Sequence, residues 1–96
     1  SASAWPLSAT VSIYDPMQPF GPQTVNIGVG GTVTFNNVNS GKPWTITSFN
    51  SPSFAPVSLA TSPYFGTTGV FTVPGNYEYV IVGSPSFIVH GHIIVN

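Results

Sequence analysis

The sequence predicts an all-β chain, an antiparallel β-sandwich of about seven or eight strands, and three observations lead to it. β-Branched and aromatic residues fall in short runs with period-two alternation, as in Thr32-Val33-Thr34-Phe35 and Tyr77-Glu78-Tyr79-Val80-Ile81, the pattern of strands with one face buried. Pro, Gly, Asn and Ser separate those runs, each favouring a turn over continued pairing. No segment repeats its apolar residues at helical spacing over a useful length.

In chain order, Thr10 to Tyr14 forms a first strand with Val11 and Ile13 on one face. Asp15-Pro16 breaks it, and Pro19, Gly21 and Pro22 make Met17 to Pro22 a loop. Thr24 to Val29 and Thr32 to Asn36 read as two strands joined through the turn pair Gly30-Gly31, with Val33 and Phe35 inward. After a polar loop, Asn37 to Lys42, the strand Trp44 to Phe49 alternates Trp44, Ile46 and Ser48 against Thr45 and Thr47. Residues 50–69, rich in Ser, Pro, Thr and Gly, carry a weak signal. Val70 to Val73, Tyr77 to Val82 and Ile88 to Val95 complete the set. Residues 1–7 form an N-terminal arm bearing Trp5, Pro6 and Leu7, ahead of a domain over 8–96. The arm either folds on its own domain or adds as a strand to the open sheet edge of a neighbouring copy.

Composition narrows the function. Of the 96 residues only Lys42, Asp15 and Glu78 carry charge at neutral pH, 3% in all, against about 25% in ordinary soluble domains. With 42% hydrophobic and 14% aromatic residues the chain has the apolar surface that disordered chains lack. A basic patch for nucleic acid and a run of about 18 apolar residues to span a membrane are both absent from the sequence. Cysteine is absent too, which removes disulfides and thiolate chemistry. The small-residue start Ser1-Ala2-Ser3-Ala4 fits a mature secreted chain, so a secreted, extracellular or cell-surface location is expected. A net charge of −1 leaves little repulsion between copies.

Two segments resemble a known family. Gly75 to Asn96 reads GNYEYVIVGSPSFIVHGHIIVN, which resembles the closing hairpin of the plastocyanin-like blue-copper proteins, the cupredoxins. That hairpin has the form Gly-x-Tyr-x-Tyr/Phe-x-Cys-x-x-His-x-x-x-x-Met-x-Gly-x-Val-x-Val. Tyr77, Tyr79, Gly91, Ile93 and Val95 take its framework positions without a gap. Val29 to Phe49 resembles the family segment that ends in Pro-His-Asn-Val, with Pro43, Thr45 and Ile46 keeping the pattern. The resemblance implies a Greek-key, cupredoxin-like sandwich. It also implies that the copper-ligand positions hold Trp44, Ile81, Ser84 and Val89, none of which provides the thiolate and imidazoles of a blue-copper centre. The end of the sandwich is then plugged, with Trp44, Pro85 and Phe87 in an apolar cluster. Immunoglobulin-like sandwiches produce similar local strings and remain the alternative fold.

His90 and His92, the only histidines, lie two apart and so on one strand face, a spacing that can supply two ligands to zinc or copper. If the family's inward set holds, they point outward with Ile88 and Ile94. Closing the hairpin around Ile81 and Val89 then sets Glu78 opposite His92, as a paired carboxylate or third ligand. Ser84 has no histidine placed beside it, and Asp15 and Glu78 are far apart in the chain, so no enzymatic activity and no cofactor are expected.

The resulting expectation is a non-catalytic secreted structural module that has lost copper and packs with copies of itself into a filament, lattice or matrix. Its candidate interaction surface comprises Trp5, Leu7, Trp44, Phe87, Ile88, His90, His92 and Ile94. Two alternatives stand beside it. One is a small metal-binding or electron-transfer protein using His90 and His92, with Glu78. The other is an extracellular domain that binds a polysaccharide or a protein through Trp44, Phe87, Tyr64 and Phe65.

Overall fold

The computed structural model describes residues 5–14, 21–38, 43–61, 63–83 and 87–96, with the side chains of 87 and 88 excepted. Asp15, Lys42, Ser84, Pro85 and most of the 17–22 loop therefore lie outside the described residues, as do the side chains of Phe87 and Ile88. Among the described residues there are eight strands: β1 (Ser8–Ile13), β2 (Thr24–Ile27), β3 (Thr32–Asn37), β4 (Trp44–Ser48), β5 (Val57–Leu59), β6 (Tyr64–Thr67), β7 (Gly75–Gly83) and β8 (Phe87–Val95). They form a three-stranded sheet, β1-β3-β6, and a five-stranded sheet, β2-β8-β7-β4-β5.

Alternation drives the two sheets together. Val11 and Ile13 of β1 and Val33 and Phe35 of β3 are buried from one side. Val25, Ile27, Trp44, Ile46, Val57, Leu59, Tyr77, Tyr79, Ile81, Ile93 and Val95 are buried from the other, and all belong to one core cluster. Each such side chain removed from water is worth about 1.5–3 kcal/mol. Phe35 and Tyr79 meet edge to face across the sandwich, ring centroids 5.3 Å apart. Two polar groups in this core are answered: Asn37 donates from Nδ2 to the Ala60 carbonyl at 2.9 Å, and the Thr68 hydroxyl accepts from the Val33 amide at 3.0 Å.

The all-β sandwich expected from the sequence is present, but three of its details differ. Both sheets are mixed, because β1 runs parallel to β3 and β2 runs parallel to β8. The segments around Gly30-Gly31 do not form a hairpin; the chain crosses there from the larger sheet to the smaller. Val25 and Ile27 on β2 and Val33 and Phe35 on β3 are buried in one core cluster from opposite sheets, a use that the same alternation allows. Gly30, at φ +95°, adopts the left-handed conformation that this turn requires, and its amide donates to the Phe71 carbonyl at 2.7 Å. Val70 to Val73 is not a strand: Val70 and Val73 are exposed and only Phe71 is buried, through a single bridge to Gly31. The strand lies earlier, at Tyr64–Thr67, antiparallel to β3.

The described part of the N-terminal arm is held by its own chain. The Pro6 carbonyl accepts from the Gly28 amide at 2.9 Å, and the Leu7 carbonyl accepts from Thr32 at 3.1 Å. Trp5 and Leu7 remain exposed.

Candidate metal-binding face on the closing hairpin

The β7–β8 hairpin pairs Ile81 with Val89 and Glu78 with His92, the register that the sequence implied. Tyr77, Tyr79, Ile81, Gly91, Ile93 and Val95 therefore point into the core and His90 points out, with His92 and Ile94 half-buried on the same outer face. Gly91 is needed at its position: a Cβ there would lie 2.4 Å from the Tyr79 ring and hydroxyl. Burial of that phenol pushes its pKa above the usual tyrosine range.

Three of the four positions that the resemblance assigns to copper are described. Trp44 is 2% exposed and Ile81 fully buried, while Val89 packs partly buried against the core. The indole of Trp44 lies over Gly83, where a Cβ would come within 2.1 Å of Cζ3 and 2.4 Å of Cε3. An aromatic ring and two alkyl chains give a copper ion nothing to bind, and the chain has no cysteine. The residues present do not fit a blue-copper centre. Trp44 is also too buried to form part of an exposed docking face, which corrects its place in the predicted interaction surface. Tyr64 and Phe65 on β6 are exposed, and the histidines lie in the other sheet.

On the outer face the two imidazoles are each held through Nδ1 by β7. Glu78 Oε2 lies 3.3 Å from His90 Nδ1, and Asn76 Oδ1 lies 3.0 Å from His92 Nδ1. Both contacts are diagonal across the ladder: Glu78 is directly opposite His92 but reaches His90. The right-handed twist of paired strands brings such diagonal neighbours within reach of long side chains. The expected Glu78–His92 pair is thus replaced by Glu78–His90 and Asn76–His92. Glu78 is engaged further, since Asn50 Nδ2 donates to its Oε1 at 3.2 Å. Phe49 stands edge to face with His90, centroids 4.9 Å apart.

These contacts also correct the three-ligand idea. Among the described residues no three side chains of His, Cys, Asp or Glu converge to hold a metal ion. What remains is two imidazoles side by side. Each Nδ1 faces an oxygen acceptor, so the neutral ring carries its proton there and keeps the lone pair on Nε2. Sequence reasoning located both histidines and Glu78 but missed Asn76, Asn50 and Phe49; Asn76 could have been found as the outward residue two before Glu78.

No known family model matches the sequence, and no curated protein matches it. Similarity appears among solved structures. An amicyanin from Paracoccus versutus superposes with a TM-score of 0.69 at 21% identity, over 93% of this chain and 81% of that one. The sodium-dithionite-reduced auracyanin of Roseiflexus castenholzii gives 0.71 at 12% identity, over 97% and 99%. A reduced Cu(I) form of an amicyanin variant at pH 4 gives 0.61 at 19% identity, over 100% and 85%. The fold is cupredoxin-like. The expectation of a structural, self-assembling module is overturned by these matches, of which the auracyanin is described as dithionite-reduced and the amicyanin variant as a reduced Cu(I) form. Few surface charges lower the repulsion between copies, a property of solubility and association that does not specify a role.

Proposed function

We propose that this chain is a small metal-binding or electron-transfer protein whose metal chemistry resides on the outer face of β8, at His90 and His92, and not at the end closed by Trp44. One observation carries the reading: both imidazoles are anchored at Nδ1 by oxygen acceptors on β7, at 3.3 and 3.0 Å. Metal-ligating histidines have this arrangement, with the second ring nitrogen fixed by a carboxylate or amide and Nε2 presented to the ion. Imidazole pairs suit copper and zinc, and solvent completes the coordination of an exposed ion. The cupredoxin-like neighbours, described in reduced and Cu(I) states, support the metal and redox character of the reading. A catalytic role is not part of it.

Calorimetric titration of the purified chain with Cu2+ and Zn2+ tests the proposal. One ion per chain is expected to bind with micromolar or tighter affinity, and His90→Ala and His92→Ala each abolish that binding. A wild-type chain that takes up neither ion defeats the reading. Cyclic voltammetry of the copper-loaded chain then distinguishes a carrier of electrons, with a reversible wave, from a carrier of metal.

A further inference from the structure

Resting on the metal-binding reading above, we infer that Glu78 and Asn76 are positioning residues. They set the tautomer and ring orientation of His90 and His92, so that the pair presents two Nε2 lone pairs to a single borderline divalent cation, with copper favoured over zinc and calcium or magnesium excluded.

The two rings are held alike although their partners differ. Glu78 Oε2 faces His90 Nδ1 at 3.3 Å, and Asn76 Oδ1 faces His92 Nδ1 at 3.0 Å. Neither oxygen can donate, so each fixes the ring proton on Nδ1 and turns Nε2 away from β7. Asn50 holds the other carboxylate oxygen of Glu78 at 3.2 Å, which restrains the carboxylate, and the edge-to-face Phe49 restricts rotation of the His90 ring. These residues come from the segment just after β4 and from β7 and β8, and the three strands are neighbours in one sheet.

Residues two apart on a strand lie about 6.6–6.8 Å apart along it. Two imidazoles projecting from one face can therefore lean to a common ion at the roughly 2.0–2.1 Å nitrogen–metal distance that zinc takes. A donor set of two neutral nitrogens plus water selects borderline ions, and among these copper(II) binds most tightly in the first-row order. Calcium and magnesium require oxygen cages, which the described residues of this face do not form. Glu78, already engaged at His90 and Asn50, acts through the imidazole and is not itself a ligand.

The test combines nitrogen NMR of the neutral imidazoles in the metal-free protein with copper titration of wild type, Glu78→Ala and Glu78→Gln. The wild type is expected to show both rings protonated at Nδ1. Glu78→Ala releases His90 to a tautomer mixture and lowers copper affinity about 10–100-fold, whereas Glu78→Gln, which keeps an acceptor oxygen, recovers most of both. If Glu78→Ala leaves the His90 tautomer and the copper affinity unchanged while wild type binds copper, the positioning role is overturned and the metal-binding reading stands. Absence of copper binding in the wild type overturns this inference, and absence of zinc binding as well overturns the metal-binding reading with it. Calcium binding of comparable strength overturns the assigned ion class.

Discussion

Replacing Gly83 with alanine tests how tightly the end of the sandwich is closed. In the structure a Cβ at residue 83 would lie 2.1 Å from Cζ3, 2.4 Å from Cε3 and 2.9 Å from Cη2 of Trp44. Contact between carbons is comfortable at about 3.5–4.0 Å, so the indole would have to retreat by more than an ångström. It has no easy route, because Trp44 is 2% exposed and sits in a continuous core cluster with Ile46, Leu59 and Ile81. Overpacking of this kind costs about 1–3 kcal/mol, and the rigidity of an aromatic ring places Gly83→Ala near the upper end. For a chain of this size about 2–3 kcal/mol corresponds to roughly 8–24 °C in Tm. Urea melts followed by far-UV circular dichroism, paired with thermal melts, measure it. Trp44→Leu in the same background should recover part of the loss, since the two sites are in contact and their effects are not additive. A Gly83→Ala variant within 0.5 kcal/mol of wild type would refute the closed, indole-filled end.

Two further outcomes follow from the core. Thr68→Val keeps the shape of the side chain but removes the hydroxyl that accepts from the buried Val33 amide; a loss of about 1–3 kcal/mol is expected in urea melts. For Tyr79, burial favours the neutral phenol in the folded state, so its contribution is fully present below the unfolded tyrosine pKa of about 10. Above that pH the unfolded chain sheds a proton that the folded chain retains, and stability falls by about 1.4 kcal/mol per pH unit. Tyr79→Phe should remove that alkaline dependence in melts taken from pH 8 to 11.

The closing hairpin was the most legible part of the sequence. Its alternation fixes which residues face inward, and Gly91 and the two inward tyrosines fix the register, so Ile81–Val89 and Glu78–His92 follow directly. Alternation says nothing about which sheet a strand joins. The sequence alone therefore reads β2 and β3 as a hairpin although they lie in opposite sheets, and Gly30 serves a crossover as readily as a tight turn. β6 escaped because its residues do not alternate: Tyr64 and Phe65 are both exposed, as happens on an edge strand. At the candidate site the residue types were visible but the partners were not, since diagonal pairing comes from sheet twist and not from register. The scarcity of charge misdirected the functional reading because it describes the surface as a whole and not any site.

The central claim is that metal binds on the outer face of β8 and not at the end closed by Trp44. Paramagnetic broadening of the amide signals by substoichiometric Cu2+ tests it most directly, because signal is lost in order of distance from the ion. The account predicts first and strongest loss at His90 and His92, then at Asn76, Glu78 and Thr24, whose strands flank them, with the Trp44 indole and the Gly83 amide retained. Broadening centred on Trp44 and Gly83, or none at all, would contradict it.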